Sequence, residues 1–100
     1  MIAPIVSLDL VELQPGGGRV PIRIELQYPQ PDGRGAWACN VMVEPFTDQP
    51  REIYGEDSLQ ALYLGLRLVR MYLELVLEGG SQLHYSNEDS PFPLDAYFQR

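Results

Sequence analysis

Residues 58–78 read SLQALYLGLRLVRMYLELVLE, and wound as a helix this stretch is apolar around most of its circumference. At about 100° per residue, two neighbouring apolar stripes emerge. The first contains Leu59, Leu62, Leu66, Val69, Leu73 and Val76, and the second contains Ala61, Gly65, Leu68, Tyr72 and Leu75. Together they span roughly 240°, more than one face of a small sheet covers. We therefore expect a second layer of the chain, a second copy or a partner protein to cover the remainder.

The polar edge of this helix is narrow. It consists of Gln60, Arg67, Arg70, Glu74 and Glu78, with Tyr63 among them. Tyrosine is favoured at protein interfaces because it joins apolar area to a polar tip. The sequence therefore predicts an exposed protein-binding patch formed by Tyr63, Arg67, Arg70 and Glu74.

The ends of the helix are marked by capping residues. Asp57 is a good N-cap, and Gln60 follows three residues later, as in a capping box. Gly55 is interpreted as a residue free to take positive φ before the cap. Gly79-Gly80 predicts the C-terminal end. A structural role is favoured for Gly55, Asp57, Ser58 and Gln60, and binding of an anion or a partner side chain at the helix N-terminus is the alternative.

The N-terminal half has the alternation of antiparallel strands. Strands are predicted at residues 5–13, 20–28, 37–43 and 52–54, with turns at residues 14–19 and 29–35 and a loop at 45–50. Pro21 indicates an edge position or an unpaired N–H. Trp37 and Cys39 fall on the apolar face of the third strand, where we expect both to pack in the core.

The segment after the helix is short. It predicts a brief strand at residues 82–85, a polar loop at 86–93, and a helical turn at 94–98 that lays Leu94, Tyr97 and Phe98 on the main helix. The whole pattern predicts one α+β domain over residues 1–100. Its expected architecture is an antiparallel meander of three to five strands with one long C-terminal helix packed across one face.

Two sequence blocks carry a family resemblance. Trp37-Ala38-Cys39 lies in a strand, and IYGEDSLQAL at residues 53–62 opens the long helix. This pattern, W-x-C followed by I-x-G-x-D-S-x-Q-A-L, resembles a group of small bacterial proteins of unknown function over about residues 20–80. The resemblance implies the fold and carries no activity with it.

Charge and composition narrow the classes of partner. The formal net charge is -7, and all seven basic residues are arginine. An acidic surface is repelled by phosphate, so nucleic-acid binding is not expected. The preferred interpretation is that acidity maintains solubility, and docking onto a basic protein is the alternative. The sequence predicts no signal peptide and no membrane span, and hence a cytoplasmic protein.

Few residues in the sequence are candidates for a catalytic, phosphate-binding or metal-binding site. Cys39 and His84 are the only residues of their kinds, and Gly16-Gly17-Gly18 joins two strands where a phosphate loop would join a strand to a helix. His84 with Glu88 and Asp89 makes a poor metal site. We therefore expect no catalytic residues, no metal and no cofactor, and a protein that is not an enzyme.

Two functions remain open. The first is a non-catalytic protein-binding module, such as an immunity or inhibitor protein that covers the basic site of a toxin or nuclease. The second is a structural or accessory homodimer, in which Ala61 and Gly65 allow the helices of two copies to approach closely.

Overall fold

The chain folds as an antiparallel sheet of six strands with one long helix, in a computed structural model that describes residues 4–88 and 90–98. The elements are β1 (Val6–Leu13), β2 (Arg19–Leu26), β3 (Gln30–Pro31), β4 (Trp37–Glu44), β5 (Arg51–Gly55), α1 (Ser58–Glu78), β6 (Gln82–Tyr85) and α2 (Leu94–Tyr97). The predicted α+β class is confirmed. No helix in the described part of the chain is long and apolar enough to cross a bilayer.

The order of the strands differs from the predicted meander. Across the sheet the order is β5, β4, β2, β1 and β6, with β3 also paired to β4. The meander prediction is wrong because β6 follows α1 and pairs with β1, at the edge opposite β5. The prediction of a C-terminal helix is also wrong, since β6 and α2 come after α1. Helix α1 carries the chain from one edge of the sheet to the other.

A bulge after β2 makes β3 a separate short strand. Leu26 pairs with Val41 and Gln30 pairs with Ala38, so three residues of one strand lie opposite two of the other. One extra residue interrupts the ladder and bends the strand. As a result β2 ends at Leu26, short of the predicted Tyr28. The chain returns to β4 as β3, within the segment that the sequence assigned entirely to a turn.

Pro21 lies in an interior strand, so its predicted edge position is wrong. It pairs with Val11 of β1, while the pairing of β2 with β4 begins only at Arg23. No strand lies beside Pro21 on that side within the described residues. The other predicted explanation therefore holds: the backbone nitrogen of residue 21 faces no partner strand, so a proline there removes no hydrogen bond of the sheet.

The two faces of the sheet are chemically distinct, as the alternation predicted. The face under α1 is apolar and fully buried at Ile22, Ile24, Leu26, Cys39, Val41 and Val43. Trp37 is partly buried against this core. The opposite face carries Arg23 and Glu25 of β2 and their polar neighbours, and we call it the open face of the sheet.

The buried side of α1 lies between the two predicted stripes. It consists of Ala61 and Gly65 from one stripe and Val69, Leu73 and Val76 from the other. Gly65 lies directly on the sheet: a Cβ added there would be 3.1 Å from Val41 Cγ2 and 3.2 Å from Cys39 Sγ. The predicted approach of a second helix at Ala61 and Gly65 is therefore wrong, because the chain's own sheet occupies this surface.

Both predicted helix ends are confirmed. Asp57 Oδ1 accepts a hydrogen bond of 2.7 Å from Gln60 N, and Gln60 Oε1 accepts one of 2.7 Å from Glu56 N. The second bond reaches the residue before the cap, which departs from the usual capping box. At the other end, Ser81 N donates to Val76 O and Gly80 N to Leu77 O, with Gly80 at φ 90°. This arrangement is a Schellman motif.

Replacing Asp57 tests the cap. Asp57→Ala removes the acceptor for Gln60 N, so we expect the free energy of unfolding to fall by about 1 kcal/mol. Urea denaturation followed by circular dichroism measures this. Asp48→Ala, at an exposed loop residue, is the control and should change stability by less than about 0.5 kcal/mol. An unchanged midpoint for Asp57→Ala would show that the cap does not stabilise the helix.

Gly55 is required for a different reason from the predicted one. Left-handed φ values occur at Gly17, Gly33, Gly35 and Gly80, not at Gly55, so that prediction is wrong. A Cβ at Gly55 would lie 2.4 Å from Ala61 N and 2.9 Å from Ala61 Cα. These are backbone atoms of the first helical turn, which cannot move without displacing α1. Gly55 therefore permits the close approach of α1 to β5.

Adding one methyl group at Gly55 should be destabilising. We expect Gly55→Ala to lower the free energy of unfolding by about 1–3 kcal/mol, because the helix must shift away from the strand. Gly16→Ala is the matched control, since a Cβ there meets nothing within 4 Å. Thermal and urea unfolding of both variants measure the difference. Equal stability of the two variants would contradict the contact.

The segment after β6 covers that strand. Phe92 and Leu94 are buried, and Phe92 stacks on Tyr97 with ring centroids 4.7 Å apart. The hydroxyl groups of Tyr85 and Tyr97 are 2.6 Å apart, and this hydrogen bond raises the pKa of Tyr85 to about 12. The contacts of Tyr97 are thus with Phe92 and β6. Several apolar side chains of α1 stay exposed: Leu59, Tyr63, Met71, Leu75 and Leu77.

Candidate functional site

The predicted patch on α1 lies on the outward surface of the helix. The Arg67 guanidinium lies 6.0 Å from the centre of the Tyr63 ring, and Tyr63 is 58% exposed. Arg70 Nε and Glu74 Oε1 are 3.5 Å apart, one helical turn from each other. The structure therefore brings all four side chains onto one surface. Arg67 already contacts the Tyr63 ring and Arg70 already pairs with Glu74, which reduces the free energy that a partner gains by binding them.

Cys39 and His84 do not come together. Cys39 lies on β4 beneath α1, whereas His84 lies on β6 beside Val11, on the open face of the sheet. Two strands separate β4 from β6, which corresponds to about 14 Å at the usual strand spacing. His84 Nε2 lies 3.3 Å from Gln82 Oε1. The residues 4–88 and 90–98 contain no group of three metal-binding side chains, and Asp89 lies outside them.

The Cys39 thiol should be inert in the folded protein. Its side chain is fully buried, and burial raises the pKa of the thiol. Because the thiolate is the reactive form, we expect labelling by a disulfide reagent only when the protein opens. Absorbance at pH 8 should show slow labelling in buffer and immediate labelling in denaturant. Labelling of the folded protein at the rate of free cysteine would contradict this burial.

A groove with a volume of about 540 Å³ lies on the open face of the sheet and crosses β2, β4 and β5. Its floor is formed by side chains of these strands and by Gln27, which directly follows β2: Glu25, Gln27, Ala38, Asn40, Met42, Glu52 and Tyr54. Its rim is formed by Tyr28, Gln30, Pro31, Asp32, Arg34 and Pro50. We call this site the acidic groove.

The charge of the groove is predominantly negative. Glu25, Asp32 and Glu52 line it, against one guanidinium, that of Arg34. Asp32 accepts backbone hydrogen bonds from Arg34 N at 2.7 Å and Ala36 N at 3.0 Å, and these lower the pKa of its carboxyl. Asp32 therefore stays ionised at neutral pH. The bonds also fix the rim loop in place.

The carboxylates differ in how far they are already neutralised. Glu25 Oε2 lies 2.8 Å from Arg23 Nη2, and Arg23 also contacts Asp9 at 3.0 Å. These two carboxylates raise the pKa of the Arg23 guanidinium, with the hydrogen bond from Asp9 contributing most. Glu52 has no ion pair within the part of the chain that the structure describes. Glu52 is therefore the carboxylate most open to an external cation.

Aromatic and amide groups complete the groove. Tyr28 and Tyr54 are 56% and 51% exposed, so their rings are accessible to a ligand. The faces of aromatic rings attract cations. Gln27 Oε1 is buried and has no hydrogen-bond donor among the described residues. A buried acceptor without a donor is unusual in a native structure.

Sequence reasoning missed this groove because its residues come from three strands and a loop that meet only after the bulge forms. A signal was nevertheless present. Tyr54 follows Ile53 and alternates with it, beside Glu52, whereas Tyr28 is in phase with the apolar residues Ile24 and Leu26 and gave no such signal. Large aromatic side chains at solvent-facing strand positions are candidates for ligand contact.

A family model supports the resemblance. The model of a domain of unknown function, DUF6968, matches residues 10–94. The chain belongs to this family. The match confirms the predicted relation to proteins of unknown function and extends it beyond residues 20–80, while the W-x-C motif and the bacterial origin stay predictions. No curated protein and no solved structure matches the chain.

Proposed function

We propose that this chain is a non-catalytic protein-binding domain that holds a positively charged segment of another protein in the acidic groove. The observation that carries the proposal is the combination of Glu52 without an ion pair and the exposed rings of Tyr28 and Tyr54 in one concave site. Carboxylates and aromatic faces together favour guanidinium and ammonium groups. The net charge of -7 acts in the same direction over a longer range.

The shape of the groove favours an extended segment over a compact ligand. Its floor is built from three adjacent strands, and its rim is the fixed loop around Asp32. An arginine-bearing loop or tail can lie along this floor and place guanidinium groups against Glu52 and the tyrosine rings. Small metabolites fit less well, because they are bound mostly in enclosed apolar pockets.

An inhibitor or immunity protein is the role that this surface fits best. Nucleases and many toxins bind phosphate through basic residues, and an acidic groove that covers such residues blocks them. The electrostatic contribution acts mainly on the association rate, which falls as salt screens the charges. Cytoplasmic location belongs to the same proposal. The predicted patch at Tyr63, Arg67, Arg70 and Glu74 stays a second candidate surface for a partner.

Binding of a basic peptide tests the groove. We expect a peptide of six arginines to bind the wild-type protein, and Glu52→Gln to weaken its affinity by about two- to fivefold, as for an exposed ion pair. Isothermal titration calorimetry at low salt measures both. Glu78→Gln is the matched control, because it makes the same charge change at the exposed C-terminal end of α1. Adding salt should weaken binding of the peptide to the wild type and to both variants.

The aromatic contribution is tested separately. Tyr54→Leu keeps apolar area and removes the ring, so it should weaken binding of the arginine peptide at salt concentrations that screen the ion pairs. Equal affinity of wild type, Glu52→Gln and Tyr54→Leu would show that the peptide binds by net charge alone. The acidic groove would then not be the binding site.

A further inference from the structure

The two edge strands of the sheet, β6 and β5, differ in whether another segment of the chain pairs with their outer backbone groups. The outer edge of β6 is covered by the chain itself: Tyr85 N donates to Ser90 O and Phe92 N donates to Leu83 O, each at 2.9 Å. The outer edge of β5 has no backbone hydrogen-bond partner within residues 4–88 and 90–98. An uncovered edge strand is a template for the addition of another strand. Arg51–Gly55 therefore presents a free edge.

An apolar flank of α1 lies above this free edge. Ala61 contacts Gly55, and the Tyr72 hydroxyl lies 3.4 Å from Arg51 Nη1, so the side of α1 that carries these residues runs along β5. The next positions around the helix are Leu64, Leu68, Met71 and Leu75, of which Leu68 still packs partly against the core. Their spacing of four, three and four residues is that of a helix-packing seam. None is charged, and Met71 and Leu75 are 45% and 54% exposed.

We propose that two copies of this chain pair through β5 and this flank of α1, forming one continuous sheet with the two helices side by side. The geometry favours a second copy over a foreign strand. The N-terminal half of α1 contacts β5 through Ala61 and β4 through Gly65, so there the helix axis lies roughly between these strands, while its C-terminal end approaches β6. Pairing two β5 strands at about 4.8 Å then sets the two helices about 10 Å apart across the two-fold axis. Packed helices are separated by about 8–10 Å, so a single two-fold rotation forms the pair of β5 strands and the contact between the two α1 helices together.

The register of the paired strands is also compatible with self-association. An antiparallel pairing centred on Ile53 keeps both helices on the same side of the sheet and places Glu52 opposite Tyr54 of the second copy. Centring the pair on Glu52 would place two carboxylates opposite each other, which is unfavourable. A foreign strand that brought no helix would satisfy β5 and leave the stripe from Leu64 to Leu75 uncovered.

Pairing has a consequence for the acidic groove. Glu52 and Tyr54 lie both in β5 and in the groove floor, so the grooves of two copies adjoin on the face opposite the helices. The second copy then contributes its own Glu52 and Tyr54 to one longer groove. This last step rests on the proposed function, whereas the pairing itself rests only on β5 and α1.

Charge placed in the helix flank tests the pairing. Sedimentation equilibrium over a range of concentrations should show a dimer for the wild type. We expect Met71→Glu to weaken dimerisation about tenfold or more, because each copy presents a carboxylate to the apolar stripe of the other. Leu77→Glu is the matched control, since Leu77 is 42% exposed and lies on the other flank of the same helix. A wild-type monomer at all concentrations, or equal effects of both variants, would overturn the proposal.

Hydrogen exchange tests the strand contact separately. The outward amides of Arg51–Gly55 should exchange slowly in concentrated samples and faster on dilution, and Met71→Glu should remove this difference. A dimer in which these amides exchange alike at all concentrations would show that β5 is not used. The arginine peptide distinguishes the two proposals: binding to a monomeric Met71→Glu variant supports the groove even where pairing fails.

Discussion

The contact between α1 and strands β4 and β5 determines most of the surface of this protein. Gly55 and Gly65 bring the helix backbone so close that a Cβ at either position would lie within 3.2 Å of a neighbouring atom. This approach fixes the rotation of α1 about its axis. It buries Ala61 and Val69 and turns Tyr63, Met71 and Leu75 outward. The two glycines at the contact between helix and sheet therefore decide which apolar residues of α1 remain available to a partner.

Local features of the structure were predictable from local sequence. The cap at Asp57, the glycine pair after Glu78 and the alternation in β2 and β4 each depend on a few neighbouring residues. The rotation of α1 was not predictable, because two adjacent stripes are almost equally apolar and either satisfies the periodicity. Only the close fit of Gly65 against Val41 and Cys39 determines which side of the helix faces the sheet. The pairing of β6 with β1 was not predictable either, because the four residues of β6 carry no pattern that selects β1 as their partner.

The acidic groove illustrates how a site arises from an irregularity. Had β2 continued regularly past Leu26, the side chains of residues 27–31 would have alternated along one straight strand. The extra residue bends the chain, so that the loop around Asp32 forms a rim above Asn40 and Glu52. Bulges of this kind are found beside functional sites because they redirect side chains at little cost to the rest of the sheet. The sequence contains the residues of the groove, but not the position of the bulge that gathers them.

The two proposed surfaces use opposite sides of the sheet and opposite chemistry. The helix flank from Leu64 to Leu75 is uncharged, so it is suited to permanent contact with an identical surface. The groove carries carboxylates, of which Glu25 is held by Arg23 while Glu52 has no ion pair among the described residues, so it is suited to exchange with water and with a basic partner. The strand β5 belongs to both surfaces, through its edge and through Glu52 and Tyr54. Because edge pairing uses backbone groups and the groove uses side chains, occupation of one surface does not prevent occupation of the other, and a dimer presents two sets of cation-binding residues along one sheet.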